Sequence, residues 1–238
     1  MKYYHKILQG IGLSKVPKKE IELFKRSYSQ CGEDLLVDYI FKLRGVSHPS
    51  YIDIGANHPL ILSNTAVFYE RGSRGVNIEA NPFLMDNFIL LRPEDININI
   101  GVGSKDDVLE FYIMNDSTLS SFSRDEVDKY IETGKYYIQS TQKIKILALN
   151  QIIDDYCNGV FPDFLSIDTE GMDYEILSLI DYKLNSPKII CVEAAEYSPI
   201  GAGVRRTELV DFLSLNGYYE YANTNLNAIM VRRDFWFI

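Results

Sequence analysis

The 238-residue sequence has no run of 18 apolar residues, so it offers no transmembrane span. Its opening residues lack the apolar stretch and small-residue cleavage site of a signal peptide. Cysteine is scarce: Cys31, Cys157 and Cys191 are an odd count with wide gaps. They suggest neither a disulfide framework nor a metal site, and point to a reducing, cytoplasmic setting. Histidines 5, 48 and 58 make no zinc pattern. A net charge of −9 leaves no positive field to hold nucleic-acid phosphates. The Gly-x-Gly-x-x-Gly run of a dinucleotide cradle is missing, and so are internal repeats and low-complexity linkers.

What is present is an ordinary globular balance, 46% hydrophobic and 24% charged. Residues 1–26 hold seven Lys/Arg against Glu20 and Glu22, a local balance of +5 within the total of −9. This stretch reads as a basic extension, either a solvated leading segment or a patch for an anionic substrate or membrane surface. Residues 27–238 read as one domain.

From residue 51 onward short apolar runs alternate with helical patterns. Strands are expected at 51–54, 75–79, 96–100, 108–113, 143–147, 164–167 and 189–192, with a closing antiparallel pair at 218–222 and 227–232. Helices are expected at 63–71 with Ser63 as cap, at 82–91 behind Asn81-Pro82, around 127–131, at 151–157 capped by Asn150, up to about 180, and from Thr207 to the stop at Gly217. Such alternation argues an α/β fold, a mostly parallel sheet with helices on both faces.

Ligands of open α/β sheets bind beyond the carboxyl ends of the strands. Those ends are Asp53-Ile-Gly55-Ala56-Asn57, Glu79-Ala80-Asn81, Gly101-Val102-Gly103, Asp168-Thr-Glu170 and Glu193, and carboxylates stand at all but one. Gly55 lets a ligand approach the backbone, having no Cβ. Asp53 suggests a ligand ammonium, although Asp-x-Gly is also a common turn. Glu79, 26 residues on, suits both hydroxyls of a ribose, or else the N-terminus of the next helix. Ribose and ammonium without pyrophosphate describe S-adenosylmethionine better than NAD.

Several segments carry a family likeness by their order and spacing. They are Tyr28-Ser-Gln-Cys-Gly-Glu-Asp34, Tyr51-Ile-Asp-Ile-Gly-Ala-Asn57, Ser63-Asn-Thr65, Gly75-Val-Asn-Ile-Glu-Ala-Asn81 and Ile167-Asp-Thr-Glu-Gly171. From about Tyr28 to Val231 the chain resembles the FkbM-type S-adenosylmethionine-dependent methyltransferases. The resemblance implies a Rossmann-like sheet of seven strands with one antiparallel. It implies that Asp53, Gly55, Ala56 and Asn57 line the methionine part, that Glu79 holds the ribose with Ala80 and Asn81 beside the adenine, and that Gly101 and Val102 pack on the adenine ring. Asp168 is placed near the sulfonium and acceptor, and Gln30 and Glu33 at a lid or entry edge. One departure is Gly103-Ser104, where many methyltransferases have an acid that reads the adenine amine; Asp106 or Asp107 is the substitute.

The expected reaction is methylation of a hydroxyl on a small molecule or glycan sugar. Asp168 and Glu170 are the first candidates for its base, and His58 the second. Asp168, Glu170, Glu193 and Glu196 have the chemistry of oxygen ligands, but no metal is assigned. Asn115–Ser123, with Phe122, is either an acceptor lid or a solvated loop. Two other readings stay open, a non-catalytic module of the same fold and an NAD-dependent enzyme.

Overall fold

The computed structural model describes residues 25–195 and 203–237. The chain runs α1 (Glu33–Leu43), β1 (Tyr51–Ile54), α2 (Ala66–Glu70), β2 (Gly75–Ile78), α3 (Met85–Leu91) and β3 (Ile96–Ile98). It continues through β4 (Gly101–Gly103), β5 (Asp107–Met114), α4 (Arg124–Glu132), β6 (Ile138–Ala148), α5 (Leu149–Cys157) and β7 (Phe164–Ile167). It ends with α6 (Asp173–Ser178), β8 (Ile189–Glu193), α7 (Thr207–Leu215), β9 (Tyr218–Asn223), β10 (Asn227–Arg232) and α8 (Arg233–Trp236). All but two residues of the basic stretch 1–26 lie outside the described residues.

The main sheet has the order β3-β2-β1-β7-β8-β10-β9. Every pairing is parallel except those of β10, which is antiparallel to both neighbours. This is the seven-stranded, mostly parallel sheet with one antiparallel strand that the sequence led us to expect. β1 and β7 are buried along their whole length, as strands covered on both faces must be. Alternate side chains serve opposite faces. Ile52, Ile54, Leu165 and Ile167 meet α5, α6 and α7, while Tyr51, Phe164 and Ile189 meet α1, α2 and α8.

Where the sequence suggested one strand over 96–100 with Gly101 and Val102 at its end, the chain forms two. β3 stops at Ile98, and Gly101–Gly103 opens a second sheet of order β4-β6-β5. The cause lies in Asn99, whose side-chain amide donates to the carbonyls of Glu79 (2.8 Å) and Ala80 (2.9 Å). A side chain thus takes acceptors that an extended β3 would meet with its backbone. The 82–91 helix begins only at Met85, because Asn81 Oδ1 accepts from Phe83 N (3.1 Å) and holds an Asx-type turn. Ser63 is not the N-cap: the helix is short, begins at Ala66 and has Thr65 in the cap position, while Ser63 Oγ accepts from Ala66 N (3.1 Å) from two residues further back. Asn150 does not cap α5, which starts at Leu149. No helix among the described residues is long and apolar enough to cross a membrane.

A fully buried ion pair lies at the β1–β2 side of the sheet. Arg92 donates from Nε to Asp95 Oδ2 (2.8 Å) and is 0% exposed. Asp95 also accepts from Tyr51 Oη (2.7 and 2.8 Å), Gly75 N (2.9 Å) and Asn77 Nδ2 (3.0 Å). The guanidinium packs against the rings of Tyr51, Tyr69 and Phe88. Buried charges persist when so fully paired.

On the same face Phe164 is 0% exposed, with its ring centroid 5.6 Å from that of Phe68. Phe164→Ala is expected to lower unfolding stability by about 3–5 kcal/mol in urea titration. A loss below about 1 kcal/mol would mean that this side of the core closes up without it.

Candidate functional site

Two loops that leave the central strands build the site. After β1, Gly55 (φ 79°) and Asn57 (φ 48°) are left-handed, and Gly55 N and Ala56 N donate to Ile78 O (3.0 and 3.1 Å). A Cβ on Gly55 would overlap the Asp168 carbonyl, so only glycine fits there. After β7, Asp168 N donates to Ile54 O (3.0 Å), and Glu170 (φ 52°) turns the chain away.

Glu79 joins the loops after β1 and β2. One carboxylate oxygen accepts from Asn57 N (2.7 Å) and the other from Asn81 N (2.6 Å). Burial pushes its pKa up to about 7, opposed by those two N–H groups. Asp53 is also buried; Oδ2 accepts from Thr65 Oγ1 (2.6 Å). Burial raises Asp53 too, while Thr65 and Arg92 favour its charged form.

Two cavities meet here. The narrow one, about 530 Å³, runs between Ile78, Ile100, Val102, Phe111 and Phe122, with Glu79, Ala80 and Gly101 on its walls. Its sides are largely apolar and aromatic. The wide one, about 1360 Å³, is polar, lined by Gln30, Asp53, Ala56, Ser63, Asn64, Ser166, Glu193 and Asn227. Gly55, Asn57, Thr118, Asp168 and Glu170 border both.

Carboxylate oxygens of Asp168, Glu170 and Glu193 lie within 4.8 Å of one another. Protein surrounds Asp168, yet its side chain is open to the cleft. Burial raises all three above the ordinary carboxylate range, and their mutual repulsion adds to it. Arg206 offsets part of this through Glu193 (3.4 Å). Glu170 accepts from the Tyr130 hydroxyl, and its carbonyl accepts from Ser121 Oγ (2.6 Å). Glu196 lies outside the described residues.

The structure thus gathers Asp53, Gly55, Ala56, Asn57, Glu79, Ala80, Gly101, Val102, Asp168 and Glu170 around one cleft. Gly101 and Val102 reach it from β4 of the second sheet rather than from the end of β3. Asn81 acts through its backbone on Glu79 and lines neither cavity. His58 also lines neither; its Nδ1 accepts from Leu60 N (3.1 Å) and Ile61 N (3.0 Å), which fixes the local turn. Gln30 lines the wide cavity. Glu33 instead ties α1 to the β9–β10 turn, accepting from Thr224 Oγ1 (2.7 Å) and Asn227 Nδ2 (3.1 Å).

Asp106 accepts from Ala148 N (3.2 Å) and Asp107 from Val108 N (2.8 Å), so the substitutes for the missing acid are turned elsewhere. Phe122 is a wall of the narrow cavity and pairs with Phe111 at 4.7 Å. Thr65, Arg92, Tyr130 and Ser166 were missed as site-building residues. Ser166 leaves a trace in the sequence as the one polar residue of an apolar strand, Phe164-Leu-Ser-Ile167.

Comparison with known proteins adds a family. A family model described as "Methyltransferase FkbM domain" matches residues 53–219. A search of curated proteins finds no match. Three solved structures are distantly similar. A TehB-like SAM-dependent methyltransferase from Corynebacterium glutamicum has 10% identity and TM-score 0.44 over 97% of each chain. A putative caffeoyl-CoA O-methyltransferase from Staphylococcus aureus has 11% identity and TM-score 0.45, over 97% of this chain and 98% of that one. The 1,6-didemethyltoxoflavin-N1-methyltransferase of Burkholderia thailandensis, solved with that compound and S-adenosylhomocysteine, has 10% identity and TM-score 0.42, over 97% and 87%.

The raised Glu79 has a consequence for stability. Its folded value, about 7, exceeds the ordinary 4.5, so the folded chain holds a proton that the unfolded chain has released between those values. This contribution is full below the unfolded value and is lost as pH rises through about 7. Urea midpoints measured from pH 5 to pH 8 are therefore expected to fall more steeply for the wild type than for Glu79→Gln. Equal slopes would contradict the burial of this group.

Proposed function

The chain belongs to the FkbM methyltransferase family, and from that premise we propose that it transfers a methyl group from S-adenosylmethionine to a hydroxyl of a small molecule or glycan sugar. One observation carries this reading. A carboxylate fixed by two backbone N–H groups, Glu79, lines the narrow, largely apolar cavity, and one of its partners, Asn57, borders both that cavity and the wide polar one that contains Asp53.

The donor set fits an amino-acid nucleoside. Each Glu79 oxygen, already accepting one backbone N–H, keeps a second lone pair for a ribose hydroxyl. Phe111, Phe122 and Val102 offer flat apolar walls to a purine. Asp53 offers a buried carboxylate to an ammonium, and Gly55 borders both cavities. When bound, S-adenosylmethionine supplies a methyl group already activated as a sulfonium.

The protein's part is then alignment and exclusion of water. Asp168 opens to the wide cavity beside Glu170 and Glu193, which suits removal of the acceptor's proton. A carboxyl raised toward neutrality by burial is well matched to that task. Glu170, held by Tyr130, is the second candidate. A reducing, cytoplasmic setting suits the free thiols of Cys31, Cys157 and Cys191.

Calorimetric titration tests the cofactor. S-adenosylhomocysteine is expected to bind in the micromolar range, and Glu79→Ala to weaken it by about 10- to 100-fold. Absence of binding by the wild type would remove the reading. For the chemistry, methyl transfer from labelled S-adenosylmethionine to a panel of hydroxylated acceptors is the assay. Asp168→Asn is expected to cut turnover by about 10²–10⁴-fold. Full turnover in that variant would take the base assignment from Asp168.

A further inference from the structure

Behind Asp53 lies a hydrogen-bonded chain whose direction is set by its chemistry. Arg92 Nη1 lies 3.0 Å from Thr65 Oγ1, and Thr65 Oγ1 lies 2.6 Å from Asp53 Oδ2. A guanidinium only donates, and a hydroxyl has one proton. Thr65 therefore accepts from Arg92 and must give its proton to Asp53. Both Thr65 and Arg92 are 0% exposed, so water does not compete for either bond. Arg92 is in turn locked by Asp95, which four other donor contacts hold in place. The chain thus runs from the buried ion pair to a wall of the wide cavity.

We propose that Thr65 and Arg92 are positioning residues for the amino-acid end of the cofactor: they turn the Asp53 carboxylate and hold it for the ligand's ammonium. The inference rests on the reading of Asp53 given above. Neither residue lines a cavity, so each acts through Asp53 alone. The Arg92 charge also favours the ionised form of a carboxyl that burial pushes the other way. Asp53 then meets a cation without changing rotamer.

Two ligands separate this role from a structural one. S-adenosylhomocysteine carries the ammonium, whereas 5′-methylthioadenosine has the same nucleoside and no amino acid. Calorimetric titration of the full chain with both is the test. Thr65→Val is expected to lose about 10- to 100-fold in affinity for S-adenosylhomocysteine and to keep wild-type affinity for 5′-methylthioadenosine. Thr65→Ser, which keeps the hydroxyl, is expected to bind both as the wild type does.

Arg92→Lys, which retains the charge but not the planar fork spanning Asp95 and Thr65, is expected to show the same selective loss. It serves if Thr65→Val does not fold. Unchanged S-adenosylhomocysteine affinity in the folded variants overturns the inference. Equal loss of both ligands also overturns it, since the hydroxyl is then only structural. A wild type that binds neither ligand overturns the functional reading first, and this inference with it.

Discussion

Two backbone N–H groups, those of Asn57 and Asn81, grip the Glu79 carboxylate, and the rest of the cleft depends on that grip. The bonds tie the loop after β1 to the loop after β2. They thereby set the path of Gly55 past the Asp168 carbonyl, where no side chain fits. They also hold charge-bearing oxygens in a buried place that otherwise favours the neutral acid. Without this contact the loop after β1 is tied to the β2 end, among the described residues, by Gly55 N and Ala56 N on Ile78 O alone, and Asn57, which borders both cavities, loses its fixed point.

The second sheet completes what the main sheet begins. β4 brings Gly101 and Val102 to the narrow cavity, and β5 brings Phe111. The segment between β5 and β6 supplies Phe122 to the narrow cavity and Thr118 to both. It also carries Tyr130 and Ser121, which hold the two ends of Glu170, one by its carboxylate and the other by its carbonyl. A roof of this kind narrows one cavity to a slot while the other stays wide. That difference fits a flat purine on one side and an acceptor of unknown bulk on the other.

Much of this was legible in the sequence, for a physical reason. Strands buried on both faces are short and mostly apolar, so Tyr51–Ile54, Phe164–Ile167 and Ile189–Glu193 stand out, and the acids in and just after them mark the ligand side. What stayed hidden depends on contacts distant in sequence. Asn99 breaks β3 by reaching two carbonyls 19 and 20 residues away, which no local pattern signals. Arg92 looks like a polar end to an apolar helix, yet it is a buried ion-pair partner that reaches Thr65, 27 residues earlier. His58 drew notice as a chemically able side chain beside the glycine loop. Its ring nitrogen instead serves the next two N–H groups, a use that residue type alone does not reveal.

The central claim is that Asp53 and Glu79 hold opposite ends of one amino-acid nucleoside. The most direct measurement is a crystal structure of the chain grown with S-adenosylhomocysteine. The account predicts both ribose hydroxyls on the Glu79 carboxylate, the purine in the narrow cavity against Phe122 and Val102, and the ammonium on the Asp53 side. A ligand bound elsewhere, or bound here with its ribose away from Glu79, would contradict it.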